Sequence, residues 1–146
     1  MTSSNFTLSP PQFKHSMTSC KRCYATLRFY HATQSPDEIT SELELVPTRY
    51  QVVGAPKRDA FYTISGWFLS TKDRLNSKDI RAHIWELVSD LKDKRRALKV
   101  LAENGWSADI YCYWESKSGN GGPYFDVSTL SALSLLEIEL GFDIWF

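Results

Sequence analysis

Long apolar runs are missing from this sequence: no stretch approaches the ~18 consecutive apolar residues that a membrane-spanning helix needs. Net charge is missing as well. The 17 Lys and Arg balance 17 Asp and Glu, so no overall field would gather nucleic acid or anionic lipid. Cysteine is scarce. The three present, Cys20, Cys23 and Cys112, are an odd number, and Met1 to Lys21 holds no apolar segment of the secretory type. Both features point to a reducing cytoplasm rather than a disulfide scaffold. Absent too are the G-x-S-x-G, H-E-x-x-H and Walker sequences, and no Ser, His and acidic set is spaced for nucleophilic catalysis. The expectation is a non-enzymatic protein with neither cofactor nor metal.

What is present is enough for one core. A chain of 146 residues suits a single domain and is short for two. Aromatic residues make up 14%, with five Trp, so these rings either fill the core or cover a partner. Most of them fall on alternating strand positions, which favours the core. Charge is unevenly spread despite the balance. Residues 100–146 hold only Lys117 against Glu103, Asp109, Glu115, Asp126, Glu137, Glu139 and Asp143. A surface divided into basic and acidic sides suits recognition of a protein better than of a polyanion.

Residues 1–20, rich in Ser, Thr and Pro, read as a flexible tail before a single domain over 21–146. Alternation from Cys23 to His31 predicts a half-buried strand. A helix follows, with Ser35 as N-cap, Pro36 at the first position and Glu38 reaching back as a capping box. Residues 47–60 read as a loop with an extended stretch at Tyr50 to Val53, and Phe61 to Ser70 as a central strand in which Gly66 marks a bulge or a close contact. Ile80, His83, Ile84, Leu87, Leu91, Leu98 and Leu101 lie on one stripe of a long helix that opens at Asn76 or Ser77, closes at Asn104-Gly105 and can break near Asp93. Trp106 to Glu115 alternates again. The Gly-rich loop of residues 116–123 is expected to turn the chain into a return strand over Tyr124 to Val127. Ser128 or Thr129 then caps a last helix ended by Gly141, and Phe142 to Phe146 closes the chain as a strand. The order β-α-β-α-β-β-α-β predicts an α+β fold, a mixed and mainly antiparallel sheet with helices packed on one face.

Several residues invite a chemical reading. Cys20 and Cys23 have the spacing of a redox or metal half-site, but no second ligand pair matches them and the motif precedes a strand, so they read as incidental thiols. His83 lies on the apolar stripe and reads as a structural histidine. The Gly-rich loop could cradle a phosphate, yet it is expected to join two strands rather than to open a helix, which favours a plain turn. Lys92, Arg95, Arg96 and Lys99 recur at i, i+3, i+4 and i+7, a solvated helix face that could also meet a partner's acidic surface. Tyr113, Trp114 and Glu115, with Trp67, would wall an aromatic pocket near the Gly-rich turn, the alternative reading being a small-ligand-binding protein or an enzyme.

The run through Ser35-Pro36-Asp37-Glu38-Ile39, then Leu45-Val46-Pro47-Thr48, Gly54, Gly66-Trp67, Ser70, His83, Leu87 and Leu140-Gly141-Phe142-Asp143-Ile144-Trp145 resembles the bacterial family known as domain of unknown function 4279. The resemblance covers residues 23–146. It implies a small cytosolic single-domain protein and transfers no catalytic or binding residue. The leading expectation is a protein-binding module, an immunity protein that neutralises a cognate toxin. Its partner would meet either the acidic C-terminal third or the basic helix face.

Overall fold

The computed structural model describes residues 8–13 and 19–146. Among these residues the chain forms β1 (Cys20–His31), α1 (Asp37–Leu43), β2 (Arg49–Gln51), β3 (Pro56–Lys57), β4 (Ala60–Phe61), β5 (Ser65–Ser70), α2 (Ile80–Leu91), α3 (Arg95–Glu103), β6 (Ser107–Ser116), α4 (Val127–Leu136) and β7 (Glu139–Trp145). Five strands build one sheet in the order β2-β5-β1-β6-β7, and β3 with β4 makes a separate small hairpin. All pairings in the main sheet are antiparallel except β6 with β7. The fold is the expected α+β class, with a mixed and mainly antiparallel sheet.

Alternation decides which side of the sheet is covered. Cys23, Ala25, Leu27 and Phe29 of β1 are buried, and in register beside them stand Leu69 and Trp67 of β5 and Trp114, Cys112 and Ile110 of β6. The helices bury Ile39, Leu43, Ile84, Leu87, Leu91, Leu101 and Leu133 against this side. Four of the five Trp, at 67, 85, 106 and 114, are buried, so for them the core reading holds; Trp145 is exposed. The opposite side carries Tyr24, Thr26, Arg28, Tyr30, Phe68, Tyr111 and Tyr113.

Several boundaries differ from those the periodicity predicts. The long helix is two helices, broken at residues 92–94. The return strand at Tyr124 to Val127 does not form, because both sides of β6 are already taken by β1 and β7. Instead Asp126 caps α4, its carboxylate accepting from Thr129 N at 3.4 Å, in place of the expected Ser128 or Thr129. This helix ends at Glu137, which takes the left-handed conformation at φ 56. Gly141 lies inside β7, parallel to β6, so α4 is the crossover of a β-α-β unit. The capping box on α1 is also absent: Glu38 accepts from Asn104 Nδ2 at 2.6 Å and from Trp106 Nε1 at 2.9 Å, tying α1 to the start of β6. The strand expected over residues 61–70 is shortened to β5, and short ladders occupy the expected loop. Gly66 is a close contact, since a Cβ there would lie 2.6 Å from the Phe68 ring. Of the segment read as a tail, Leu8 and Phe13 pack against the core; residues 1–7 and 14–18 lie outside the described residues.

His83 is the structural histidine that its position predicts. Its Nε2 lies 2.7 Å from the Ser77 carbonyl and its Nδ1 2.6 Å from Thr71 Oγ1. The Thr71 hydroxyl oxygen also accepts from Ala25 N at 3.0 Å, so the ring links α2 to β1 through one threonine. Burial lowers the His83 pKa, which means the unfolded chain takes up a proton more readily than the folded one. The stability this neutral ring supplies is full above the unfolded pKa of about 6.5 and is lost as pH falls through the lower folded value. His83→Gln is expected to lower stability by about 1–3 kcal/mol at pH 7.5 and to flatten the fall in melting temperature on acidification, as followed by circular dichroism.

Candidate functional site

Among the described residues, no helix packs on the second face of the sheet. Its outward side chains come from four strands in register: Arg22, Tyr24, Arg28 and Tyr30 of β1, Phe68 of β5, Asp109, Tyr111, Tyr113 and Glu115 of β6, and Glu139, Asp143 and Trp145 of β7. Arg49 of β2 joins them beside Phe68. With Thr26, Thr48, Ser70 and Lys72, the side chains of Tyr24, Arg28, Tyr30, Arg49, Phe68, Tyr111, Tyr113 and Asp143 line a shallow groove of about 490 Å³.

Cations and rings on this face hold one another. Tyr24 and Tyr113 stack with centroids 5.0 Å apart, and the Arg22 guanidinium stands 5.6 Å from both rings. Lys72 Nζ is 5.5 Å from the Tyr24 ring. The Arg28 guanidinium lies 3.9 Å from the Tyr111 centroid while Nε and Nη2 donate to the two Asp109 oxygens at 2.8 and 2.6 Å. Arg49 stands 4.0 Å over Phe68, whose ring also meets Tyr30 edge-on. Tyr113 donates its hydroxyl to Glu115 at 2.8 Å, and Lys21 lies 3.3 Å from the other Glu115 oxygen. The hydrogen bond to Glu115 raises the Tyr113 pKa and lowers that of Glu115, helped by Lys21. The Asp109 hydrogen bond raises the Arg28 pKa.

The charge count on this face is unequal. Lys21, Arg22, Arg28, Arg49 and Lys72 share it with Asp109, Glu115, Glu139 and Asp143, five cations and four carboxylates. Asp109 and Glu115 are spent on Arg28 and Lys21. Among the described residues Arg22, Arg49 and Lys72 form no ion pair. The acidic third of the sequence therefore does not make a separate side of the molecule here, because β6 lies beside β1 and their charges meet.

The sites read from the sequence are divided by the fold. Tyr113 and Glu115 lie on the open face, whereas Trp114 and Trp67 point to the helices and are 2% and 0% exposed. They cannot wall one pocket, since adjacent strand residues face opposite ways. The stripe of four cations is interrupted by the helix break. Arg95, Arg96 and Lys99 line a cleft of about 520 Å³ with Phe29, Trp106, Glu137 and Glu139, while Lys92 borders a different one with Phe13 and Trp85. The Gly-rich loop leads from β6 into the N-terminus of α4, not into a strand, but the Asp126 carboxylate occupies that N-terminus and Arg81 Nη1 lies 3.4 Å from it. The open face with Tyr24, Tyr30, Tyr111 and the ring-held arginines was not singled out from the sequence. Its signal was there in β1 and β6, where buried residues alternate with Tyr, Arg or other polar side chains.

The cysteines sit elsewhere. A register shift between Cys20 and Arg22 turns both Cys20 and Cys23 to the covered side of the sheet. The Cys23 thiol lowers the Cys20 pKa, and that shared contact together with burial raises Cys23. Cys112, fully buried, is pushed up to about 12 by desolvation. Cys112 is therefore expected to resist iodoacetamide in the native protein at pH 8 and to react only after unfolding, as read by mass spectrometry. Among the described residues no group of three or more His, Cys, Asp or Glu is placed to hold a metal ion, and no helix is long and apolar enough to cross a membrane.

An α+β domain whose ring- and cation-lined sheet face carries no helix among the described residues is thus the class of protein in hand. The family described as Domain of unknown function (DUF4279) matches residues 21–146, and the chain belongs to it. No curated protein and no solved structure matches the chain.

Proposed function

We propose that this chain is a protein-binding module that meets its partner with the open face of the sheet, and that it serves in the cytoplasm as an immunity protein neutralising a cognate toxin. The observation that carries the reading is the ladder of Tyr and Arg on a sheet face that no helix covers among the described residues. Tyr and Arg are the residues in which binding energy concentrates at protein interfaces. Here the side chains are already fixed against each other by ring and cation contacts, so less rotamer entropy is lost on binding. The three cations without a carboxylate call for acidic groups on the partner. A single-stranded nucleic acid fits less well. Its bases need free rings to stack on, and the tyrosines of this face and Phe68 already have a cation or another ring against them.

The test is capture from a lysate of the source organism on immobilised protein. The wild type is expected to retain one protein in stoichiometric amount, the Arg22→Glu/Arg49→Glu/Lys72→Glu variant to lose it, and Arg95→Glu/Lys99→Glu to keep it. Recovery of no stoichiometric partner, or capture indifferent to the sheet variant, would overturn the reading. A toxin reading frame beside the gene supports the narrower immunity assignment.

One observation favours a second reading, a small-ligand-binding protein. The cleft with Phe29 and Trp106 sets Arg95, Arg96 and Lys99 with Glu137 and Glu139, a lining suited to a small molecule bearing both charges. A ligand well above its Kd stabilises a protein by about 2–4 kcal/mol, so a thermal-shift screen of amino acids, sugars and nucleotides tests it. No shift across that panel removes its support.

A further inference from the structure

We propose that β7 is a self-association edge, pairing antiparallel with β7 of a second copy to join two five-stranded sheets into one. Strand β7 ends the sheet, and its seven residues leave one side of the backbone unpaired among the described residues. Natural sheets protect such edges with Lys, Pro, bulges or very short strands. The opposite edge, β2, follows that practice with three residues and Arg49 among them. The β7 edge does not: it contains no Lys or Pro, and its register with β6 runs without a bulge. Its only charges are Glu139 and Asp143, and Phe142, Ile144 and Trp145 are 36%, 38% and 57% exposed.

The strand fits itself better than it fits an arbitrary strand. The register that pairs all seven residues is centred on Phe142, which then meets its own counterpart beside the partly covered Phe125–Phe142 contact. In that register Leu140 faces Ile144, Gly141 faces Asp143 and Glu139 faces Trp145. No carboxylate opposes another, whereas a shift of the centre to Gly141 would set Glu139 against Asp143, a destabilising like-charge pair. Pairing like with like closes the assembly at two copies. Pairing β7 with β2 would match only three residues and would propagate without closing. The inference stands independently of the proposed function, although a dimer would continue the open face across both copies.

Size-exclusion chromatography with light scattering on the full chain tests it. The wild type is expected at the mass of two 16.8 kDa chains. Trp145→Glu, which sets a carboxylate opposite Glu139 of the other copy while altering an exposed position, is expected to weaken association by at least about tenfold, that is by ~1.4 kcal/mol. Adding Glu139→Lys to that variant is expected to restore the dimer. Circular dichroism verifies that each variant is folded. A wild type monomeric into the high micromolar range, or a dimer indifferent to Trp145→Glu, would overturn the proposal.

Discussion

Trp67→Ala is expected to remove a large share of the protein's stability and to shift its urea midpoint far downward. The ring is fully buried, stands edge-on to Phe29 with centroids 5.6 Å apart, and donates from Nε1 to Thr40 Oγ1 at 3.0 Å. It is the plug between α1 and the sheet. Removing it forfeits the transfer energy of a large aromatic and leaves a cavity that neighbouring strands cannot close, a loss of about 3–5 kcal/mol against a total stability of about 5–15 kcal/mol. Trp67→Phe keeps most of the packing and gives up the hydrogen bond, at about 1–2 kcal/mol. Urea denaturation followed by circular dichroism separates the two: the midpoint should fall modestly for Phe and drastically for Ala. Equal, small effects would mean that this region of the core is not packed as described.

The second large effect concerns binding and should leave stability untouched. Arg22, Arg49 and Lys72 are exposed, so reversing their charge costs the fold little, since surface changes usually stay within about 0.5 kcal/mol. Against an acidic partner the same change turns three attractions into repulsions. Interface charges of this kind contribute about 1–3 kcal/mol each when brought against a carboxylate out of water. The triple variant is therefore expected to bind at least about 100-fold more weakly with an unchanged melting temperature. Raising salt should weaken the wild-type complex in the same direction, because the attraction is screened. A binding loss accompanied by an equal loss of stability would instead point to damage of the sheet.

How far the sequence foretells this structure depends on which interaction decides each element. Period-two alternation in residues 23–31 and 106–115 is a local property, and β1 and β6 form where it predicts them. The stripe from Ile80 to Leu101 likewise faces the core, broken near Asp93 as its spacing allowed. The misses are long-range. Whether Tyr124 to Val127 could add a strand depended on the sides of β6 being free, and they are filled by β1 and by β7. Gly141 suits a helix end by composition but is placed by the parallel register with Tyr111. Glu38 had a good local use as a capping box and was drawn away by Trp106 and Asn104, residues distant in sequence. The candidate site shows the same division. Tyr113 and Glu115 were identified with Trp114 as neighbours in sequence, but a strand sends neighbours to opposite faces. Tyr24, Tyr30, Tyr111, Arg28 and Arg49 become a surface only when four strands stand in register.

We propose that the outward tyrosines of β1 and β6, with the cations of β1 and β2, form the surface that meets the partner. Hydroxyl-radical footprinting of the protein alone and in the captured complex tests it most directly. Tyr24, Tyr111 and Tyr113 are expected to lose reactivity on binding while the residues around Arg95 and Lys99 do not. Tyrosines as reactive in the complex as in the free protein, with protection falling on α3 or α4 instead, would contradict it.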